Sequence, residues 1–272
     1  MRKDGIWKWY RDIQHRHQEL DAEGGVVLKL NSTLEDKLLD YQTEGIKFVV
    51  SRGGRAFIAD DMGLGKTIQA IGVLLHYRQH WPALVLMPPG LKENWKKEIL
   101  ENADDLISER EITVVTDGKS LVSRPGSKVT LLPYSLLPAL VSNNKINSST
   151  FGIVIADESQ KLKNRETAIT KSALPILKNA KIALCLSGTP SPNQPVELFT
   201  QLSVLLPSLF KSYDDFITRY CDGGRMAYIG KNRQVQKLGA THSEELNALM
   251  MGMVMIRRQK NVVLKANLPE KQ

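Results

Sequence analysis

Six short apolar runs, separated by segments with helical spacing, constrain the fold of this 272-residue chain more than any other feature. The runs carry Val, Ile and Leu continuously rather than at alternate positions, which is typical of strands covered on both faces. They lie at residues 56–59, 83–87, 112–115, 129–132, 153–156 and 182–186. Alternation of such strands with helices predicts an α/β fold whose sheet is doubly wound and mostly parallel.

Helices are predicted around these strands from the spacing of apolar residues and from Gly and Pro stops. They span residues 41–51, 67–78, 91–100, 166–177, 195–206 and 244–255, and a further strand is predicted at residues 25–30. Ser32 and Glu35 have the spacing of a capping box. Gly53 with Gly54 provides a C-cap for the first helix. The last two helices flank a polar stretch at residues 221–241, and we interpret about 207–255 as a helical and basic insertion on the core lobe.

Composition narrows the class of protein without deciding its function. The formal net charge is +8 and the pI is near 9.4, a balance that suits a polyanionic partner but that many proteins without one share. The two cysteines, Cys185 and Cys221, suit a reduced intracellular protein better than a disulfide scaffold. No apolar run reaches the roughly 18 residues needed to cross a bilayer, so we expect a soluble, non-secreted protein with no membrane partner.

The strongest chemical signal is the segment Asp-Asp-Met-Gly-Leu-Gly-Lys-Thr at residues 60–67, which follows a predicted strand and opens a predicted helix. Backbone N–H groups of such a turn converge on phosphate oxygens. Lys66 would neutralise the β- and γ-phosphates, and the Thr67 hydroxyl would coordinate Mg²⁺. The full Walker pattern has Gly where this chain has Asp60, so a tight turn with a chance Gly-Lys-Thr is the alternative. The predicted nucleotide contacts here are Asp61, Met62, Gly63, Leu64, Gly65, Lys66, Thr67 and Ile68.

A pair of carboxylates, Asp157 and Glu158, ends the apolar run at residues 151–156. Ligands of an open parallel sheet bind at the carboxyl ends of its strands. There Asp157 can hold the metal and Glu158 can orient the attacking water. A helix N-cap is the alternative for an isolated Asp-Glu pair. Together with the Gly-Lys-Thr turn upstream, the pair favours an ATP-hydrolysing site with Lys66, Asp157 and Glu158 as its catalytic residues.

Taken in order, these segments resemble the superfamily-two helicase-like ATPases, and the SWI/SNF-type branch most closely. Residues 39–45 resemble its Q motif, 60–67 its motif I, 84–88 with Trp95 its motif Ia, and 131–136 a weaker motif Ib. Residues 157–160 resemble motif II, 186–190 motif III, and 256–260 with 268–271 the end of the first lobe. Residues 52–61, 157–164 and 219–222 are most similar to the HARP-type annealing helicases. Motif I of this branch also lacks the first Walker glycine, so the resemblance accounts for Asp60.

The resemblance implies a RecA-like P-loop lobe that binds ATP with Mg²⁺. It assigns Gln42 to the adenine edge, which a side-chain amide can both donate to and accept from. Ser187, Gly188 and Thr189 would couple the γ-phosphate to DNA, although a simple turn at the end of a strand is the alternative. The family usually has His at the position of Gln160, which departs from the pattern because Gln cannot become charged near neutral pH. This departure concerns the coupling of motifs II and III rather than ATP binding.

The resemblance also predicts the domain organisation. Residues 36–272 would form the first ATP-binding lobe, and residues 1–35 an N-terminal extension whose Trp7, Trp9 and Tyr10 pack on the lobe or stack on bases. No second strand and helix set with an arginine-finger motif is recognisable, so a second RecA-like lobe is absent from this sequence. We therefore expect the 272-residue chain to hydrolyse ATP poorly by itself.

DNA is the predicted partner, contacted along its backbone without regard to sequence at residues 88–92 and 133–135. The basic stretch with Arg225, Lys231, Arg233 and Lys237 either follows phosphates or is a solvated loop. The predicted function is that of a double-stranded-DNA translocase of the annealing or chromatin-remodelling type. The alternatives are an RNA helicase lobe of DEAD/DEAH type and a non-catalytic nucleotide-binding scaffold. Chromatin or fork-repair proteins are expected partners, with a nuclear location in a eukaryote and a cytoplasmic one otherwise.

Overall fold

The computed structural model describes residue 11 and residues 25–189, 194–222, 227–229, 234–236 and 239–266. Its strands are β1 (Arg55–Ile58), β2 (Ala83–Met87), β3 (Ile112–Val114), β4 (Val129–Pro133), β5 (Ile153–Ala156), β6 (Ile182–Leu186), β7 (Ala227–Ile229), β8 (Gln234–Gln236) and β9 (Met255–Ile256). Its helices are α1 (Ser32–Glu35), α2 (Asp40–Ser51), α3 (Lys66–His76), α4 (Lys92–Asn102), α5 (Leu137–Ser142), α6 (Ala168–Asn179), α7 (Phe199–Leu205), α8 (Tyr213–Tyr220), α9 (Ser243–Met253) and α10 (Lys260–Ala266).

Seven of the strands form one sheet in the order β3-β4-β2-β5-β6-β1-β9. Every neighbouring pair in it is parallel, which confirms the predicted doubly wound α/β fold. The chain leaves β1, crosses two strand positions to β2, and later returns to place β5 and β6 between them. The carboxyl ends of β1, β6, β5 and β2 consequently lie side by side at one edge, where ligands of such sheets bind.

Both faces of the sheet are covered, as the continuous apolar runs predict. Phe57, Leu84 and Val154 point into one buried cluster together with α5 to α9. Ile58 and Val85 point into the other, together with α1 to α4. Because successive side chains of a strand point to opposite faces, a fully apolar strand is stable only when helices pack on both.

The predicted element boundaries agree closely with the structure. All six predicted strands are present, with ends shifted by at most one residue. The predicted helices are also present within two residues, counting the 3₁₀ turn Pro195–Leu198 that precedes α7. After α2, Gly53 and Gly54 have φ angles of 65° and 79°, and both N–H groups bond carbonyls of the last helical turn. The C-cap prediction is therefore confirmed.

Two local predictions are wrong, and one predicted helix ends two residues early. Residues 25–30 form no strand; the N–H of Lys29 instead donates to Nδ1 of His76 on α3 at 3.1 Å. Ser32 does not cap a helix, because it is already the first helical residue and Asn31 precedes it. The last predicted helix ends at Met253; Met255 lies instead in β9, where pairing with β1 satisfies its backbone.

The part of the chain predicted as an insertion is joined to the core by two helices. Phe216 and Tyr220 of α8 and Leu249 of α9 are buried in the same apolar cluster as the sheet. Arg219 and Glu245 form an ion pair of 2.6 Å between these helices. Between them, β7 and β8 form a separate antiparallel pair. The basic residues Arg225, Lys231, Arg233 and Lys237 lie outside the described residues.

The prediction for the N-terminal extension also falls mostly outside the described residues, including Trp7, Trp9 and Tyr10. Of the part described, Leu34 is fully buried against α2 and α3. Among the helices that the structure describes, none has the length and apolar character needed to span a bilayer.

Candidate nucleotide-binding site

The Gly-Lys-Thr segment forms a turn between β1 and α3 at the carboxyl edge of the sheet. Gly63 and Gly65 have φ angles of 86° and 71°, values in the left-handed region that residues with a Cβ adopt at a cost of about 1–2 kcal/mol. Gly65 is also the N-cap of α3. The first N–H groups of α3 have no partner within the helix and, with the helix dipole, form a site for an anion.

Lys66 and Thr67 are the first two residues of α3. The Lys66 ammonium donates to the carbonyl oxygens of Asp60 at 2.8 Å and Asp61 at 3.3 Å. The lysine therefore lies folded onto its own loop. Around it, Met62 is exposed at the tip, Leu64 is buried, and Ile68 is half-buried on α3.

Gln42 contacts this turn from α2. Its Nε2 lies 3.4 Å from the carbonyl oxygen of Leu64, and its Oε1 accepts from the N–H of Leu39 at 3.1 Å. The second contact is half of a capping box, since Leu39 has no side-chain acceptor to complete it. Gln42 is thus placed beside the turn, as expected of a residue that contacts the nucleotide. Its role at the adenine edge stays a prediction.

Asp157 follows β5 and is almost buried, with 6% of its surface exposed. Its Oδ2 accepts from Nε1 of Trp95 at 2.8 Å, and its Oδ1 accepts from the N–H of Glu158 at 2.9 Å. Tyr134 donates its hydroxyl to the Asp157 carbonyl oxygen at 2.9 Å. Burial raises the pKa of the Asp157 carboxyl, whereas the bond from Trp95 and the nearby positive charge of Lys66 lower it. The same charge connects Asp157 electrostatically with the Gly-Lys-Thr turn.

Glu158 has a φ of 49°, a left-handed conformation that costs a residue with a Cβ about 1–2 kcal/mol. Such strain is concentrated at functional sites, where the surroundings hold the residue in place. Here Oε2 of Glu158 accepts from Nε2 of Gln160 at 2.6 Å.

The Gln160 side chain connects Glu158 with the turn after β6. Its Oε1 accepts from the hydroxyl of Ser187 at 2.8 Å, and Ser187 Oγ accepts from the N–H of Thr189 at 3.0 Å. A side chain at Gly188 would come within 3.0 Å of Met62, so this turn lies against the Gly-Lys-Thr loop. Gln in place of the family's usual His therefore still joins Glu158 to Ser187 through one uncharged amide.

The residues present fit a nucleotide with its magnesium ion. A positive-φ glycine turn at a helix N-terminus matches the phosphates, and the buried carboxylate of Asp157 with the Thr67 hydroxyl matches a hard cation. Among the described residues, no three His, Cys, Asp or Glu side chains are grouped as ligands of a metal.

Sequence reasoning missed several contacts of this site. Trp95 was assigned to motif Ia, but its bond to Asp157 spans 62 positions of sequence. Tyr134 lies within the predicted DNA-contacting residues 133–135, but its bond to the Asp157 carbonyl was not predicted. Asp60 was treated as a missing glycine, yet its buried carboxylate pairs with Arg258 at 2.8 Å. No local sequence pattern links Asp60 with Arg258, because the two residues are 198 positions apart.

Known proteins similar to this chain belong to one family of ATPase domains. The model of the SNF2-related domain matches residues 41–272. The mouse protein "DNA annealing helicase and endonuclease ZRANB3" is 40% identical over 244 residues, which are 89% of this chain and 22% of that protein. The "SWI/SNF-related matrix-associated actin-dependent regulator of chromatin subfamily A-like protein 1" of Xenopus tropicalis is 39% identical, over 90% of this chain and 25% of that protein. The chain thus spans about a quarter of the length of these relatives.

Among solved structures, the "Sulfolobus solfataricus SWI2/SNF2 ATPase core in complex with dsDNA" is similar with a TM-score of 0.66 and 27% identity. The match covers 89% of this chain and 47% of that one. The described sheet and its flanking helices therefore correspond to about half of that ATPase core.

Proposed function

Because the chain belongs to the SNF2-related domain family, we propose that it is the ATP-binding lobe of a double-stranded-DNA translocase that couples Mg·ATP hydrolysis to DNA movement. One observation carries the proposal: the Gly-Lys-Thr turn follows β1 and the pair Asp157 and Glu158 follows β5, so both lie at the carboxyl edge of the same parallel sheet. The edge also carries the turn at Ser187 and Thr189, joined to Glu158 through Gln160.

In this proposal the turn binds the phosphates of ATP. The backbone N–H groups at Gly63, Gly65 and the start of α3 contact phosphate oxygens. Lys66 exchanges its two loop carbonyls for the β- and γ-phosphates, which offer full negative charge. Thr67 and Asp157 hold the magnesium ion, which when bound neutralises charge on the phosphates.

Glu158 orients the water that attacks the γ-phosphate. Its carboxylate is held by Gln160, whose other end accepts from Ser187. A change at the γ-phosphate that moves Glu158 therefore reaches the turn after β6 through two hydrogen bonds. We propose this chain of contacts as the connection between hydrolysis and DNA, with Gly188 and Thr189 completing the turn.

The DNA surface proposed here lies at the same edge of the sheet. Residues 88–92 follow β2, and residues 133–135 begin at the last residue of β4. Gly90 and Ser135 are exposed. Short loops with backbone N–H groups and a lysine, such as Lys92, suit contacts to phosphates rather than to bases. The similar Sulfolobus solfataricus ATPase core was solved in complex with double-stranded DNA.

The wider role follows from the names of the relatives. They include a DNA annealing helicase and a regulator of chromatin, so we propose a role in annealing or chromatin remodelling with chromatin or fork-repair partners. In a eukaryotic cell the location would be the nucleus, and otherwise the cytoplasm. A second RecA-like lobe would complete the ATP site from the opposite side.

The nucleotide site is tested with Lys66→Ala. We expect the 272-residue chain to bind Mg·ATP, measured by calorimetry, and Lys66→Ala to weaken binding by about 10-fold to 100-fold, the value of one charged hydrogen-bonding contact. Lys181→Ala is the matched control, because Lys181 is exposed and immediately precedes β6 at the opposite edge. Equal affinity of the two variants would contradict the proposed site.

The nucleic-acid class is tested by fluorescence anisotropy with duplexes of equal length. We expect double-stranded DNA to bind with an affinity that falls as salt rises, because phosphate contacts release counterions. Preference for RNA would favour the RNA helicase alternative and would contradict the proposal. Binding of ATP without any nucleic acid binding would favour a scaffold lobe.

A further inference from the structure

Asp60 occupies the position at which the full Walker pattern has its first glycine, and its side chain is completely buried. Its Oδ1 accepts from the backbone N–H of Arg258 at 2.9 Å and from Nε at 3.1 Å. Its Oδ2 accepts from Nη2 of Arg258 at 2.8 Å and from Nε2 of Gln69 at 3.0 Å. Two donors to each oxygen satisfy a buried carboxylate, so this side chain is committed to Arg258 and α3 rather than to a ligand.

The guanidinium of Arg258 is less enclosed than Asp60, with 14% of the Arg258 side chain exposed, but it makes further contacts within the fold. Nη2 also donates to Oε1 of Gln69 at 2.9 Å, and the group lies 5.2 Å from the centroid of the Tyr41 ring. Helix α2 passes so near that a Cβ on Gly45 would collide with Gln69 and Arg258. Arg258 thus contacts α2, α3 and the turn at residues 60–65, which we call the phosphate turn.

The backbone around Arg258 bonds to the next residue of the turn. The N–H of Asp61 donates to the Arg258 carbonyl at 3.0 Å. Oδ2 of Asp61 accepts from the N–H of Lys260, the first residue of α10, at 3.0 Å. Asp60 and Asp61 therefore hold both Arg258 and the start of α10.

The same two residues hold Lys66 through their carbonyl oxygens. When Lys66 turns to a phosphate, the Asp60 carbonyl loses its donor and the Asp61 carbonyl keeps only the N–H of Leu64 at 3.3 Å. The side chains of Asp60 and Asp61 remain bonded to residues 258–260. Nucleotide binding and the position of α10 consequently both depend on the backbone of residues 60 and 61. Coupling between two such sites is reciprocal.

We propose that Arg258 is a positioning residue of the nucleotide site: it holds the first half of the phosphate turn in shape and thereby links nucleotide binding to the start of α10. This inference rests on the proposed function, because it needs a nucleotide in the turn. It also gives Asp60 a task that a glycine could not perform, since only a side-chain carboxylate can form the two-pronged pair with a guanidinium.

Hydrogen exchange of the unaltered chain tests the link without any substitution. The probes are the N–H groups of Asp61 and Lys260, with and without saturating Mg·ATP. We expect both to exchange more slowly with nucleotide, because the turn and the start of α10 open together less often. Unchanged exchange at Lys260, in a chain whose Mg·ATP binding is established by calorimetry, would overturn the inference and leave the proposed function standing.

Substitutions test the positioning role. Arg258→Lys keeps the positive charge but removes the planar guanidinium that donates to both oxygens of Asp60. We therefore expect the dissociation constant for Mg·ATP to rise by about tenfold or more. Arg257→Ala is the matched control, because its neighbour Arg257 is exposed, and its affinity should stay within about twofold, as for a screened surface charge. If Arg258 served stability alone, Arg258→Lys would lower the melting temperature. It would leave the affinity for Mg·ATP, and the slower exchange of the Lys260 N–H with nucleotide, unchanged. That result would overturn the proposal.

Discussion

The indole of Trp95 determines how the Asp157 carboxylate faces the site. Trp95 is fully buried on α4, and its single N–H donor is used on Oδ2 of Asp157. The remaining lone pairs of that carboxylate are therefore aimed by a side chain that packing holds in place. We propose that Asp157 holds Mg²⁺, and removal of a partner that orients a metal ligand typically lowers the affinity for the metal.

Trp95→Phe should accordingly raise the Mg²⁺ concentration needed for half-maximal ATP binding by about 10-fold to 100-fold. The substitution keeps an aromatic ring in the core and removes the N–H. Calorimetric ATP titrations at a series of Mg²⁺ concentrations measure the effect. Trp81→Phe is the control, since its indole donates to the Leu74 carbonyl instead. Identical Mg²⁺ dependence in both variants would show that Trp95 acts only in packing.

At the scale of elements, the segment before α1 is attached to α3 by a histidine rather than by strand pairing. Nδ1 of His76 accepts from the N–H of Lys29, which requires an unprotonated nitrogen. Burial, and then the positive charges of Lys29 and Arg78, lower the pKa of His76 below its ordinary value of 6.5. The folded chain therefore binds a proton at His76 less readily than the unfolded chain does.

This shift predicts a loss of stability in acid. Since the unfolded state binds more protons, the contribution of His76 is fully present above pH 6.5 and is lost as the pH falls through the lower pKa of the folded state. Urea unfolding between pH 7.5 and 5 measures the free energy of unfolding. We expect His76→Gln to flatten the fall over this range and His80→Gln to leave it unchanged. The same slope in the His76 variant would refute the assignment.

At the scale of the molecule, the site lies along one edge of a single sheet. The chain corresponds to about half of a related ATPase core, 47% of that structure. In ATPases of this kind, arginines from a facing lobe stabilise charge in the transition state, and removing an arginine finger costs roughly 10³–10⁵ in rate. Within the 272 residues we recognise no such motif.

The purified 272-residue chain should therefore bind Mg·ATP but hydrolyse it slowly, with little stimulation by DNA. Phosphate release at saturating ATP, with and without duplex DNA, measures this. We expect Glu158→Gln to lower the remaining hydrolysis further, because Glu158 is the group proposed to orient the attacking water. Rapid hydrolysis stimulated by DNA would contradict the expectation and would place every catalytic group within these residues.

The sequence alone determined the strands, their parallel arrangement and the positions of the phosphate turn and the Asp157 and Glu158 pair. Those features depend on local patterns: apolar residues at a fixed period, glycines where φ is positive, and polar residues directly after a strand. The resemblance to SWI/SNF-type ATPases assigned these residues to an ordered set of motifs. It also explained why Asp60 takes the place of the first Walker glycine.

The tertiary structure alone decided which side chains touch. Trp95 meets Asp157 across 62 positions, and Arg258 meets Asp60 across 198. Each pair depends on how one element packs against another, because a hydrogen bond is lost with a displacement of about 1 Å. No local pattern carries that information. The glycine turn before α3 was thus evident from the sequence, whereas the contacts that hold this turn and the Asp157 carboxylate in place came only from the packed fold.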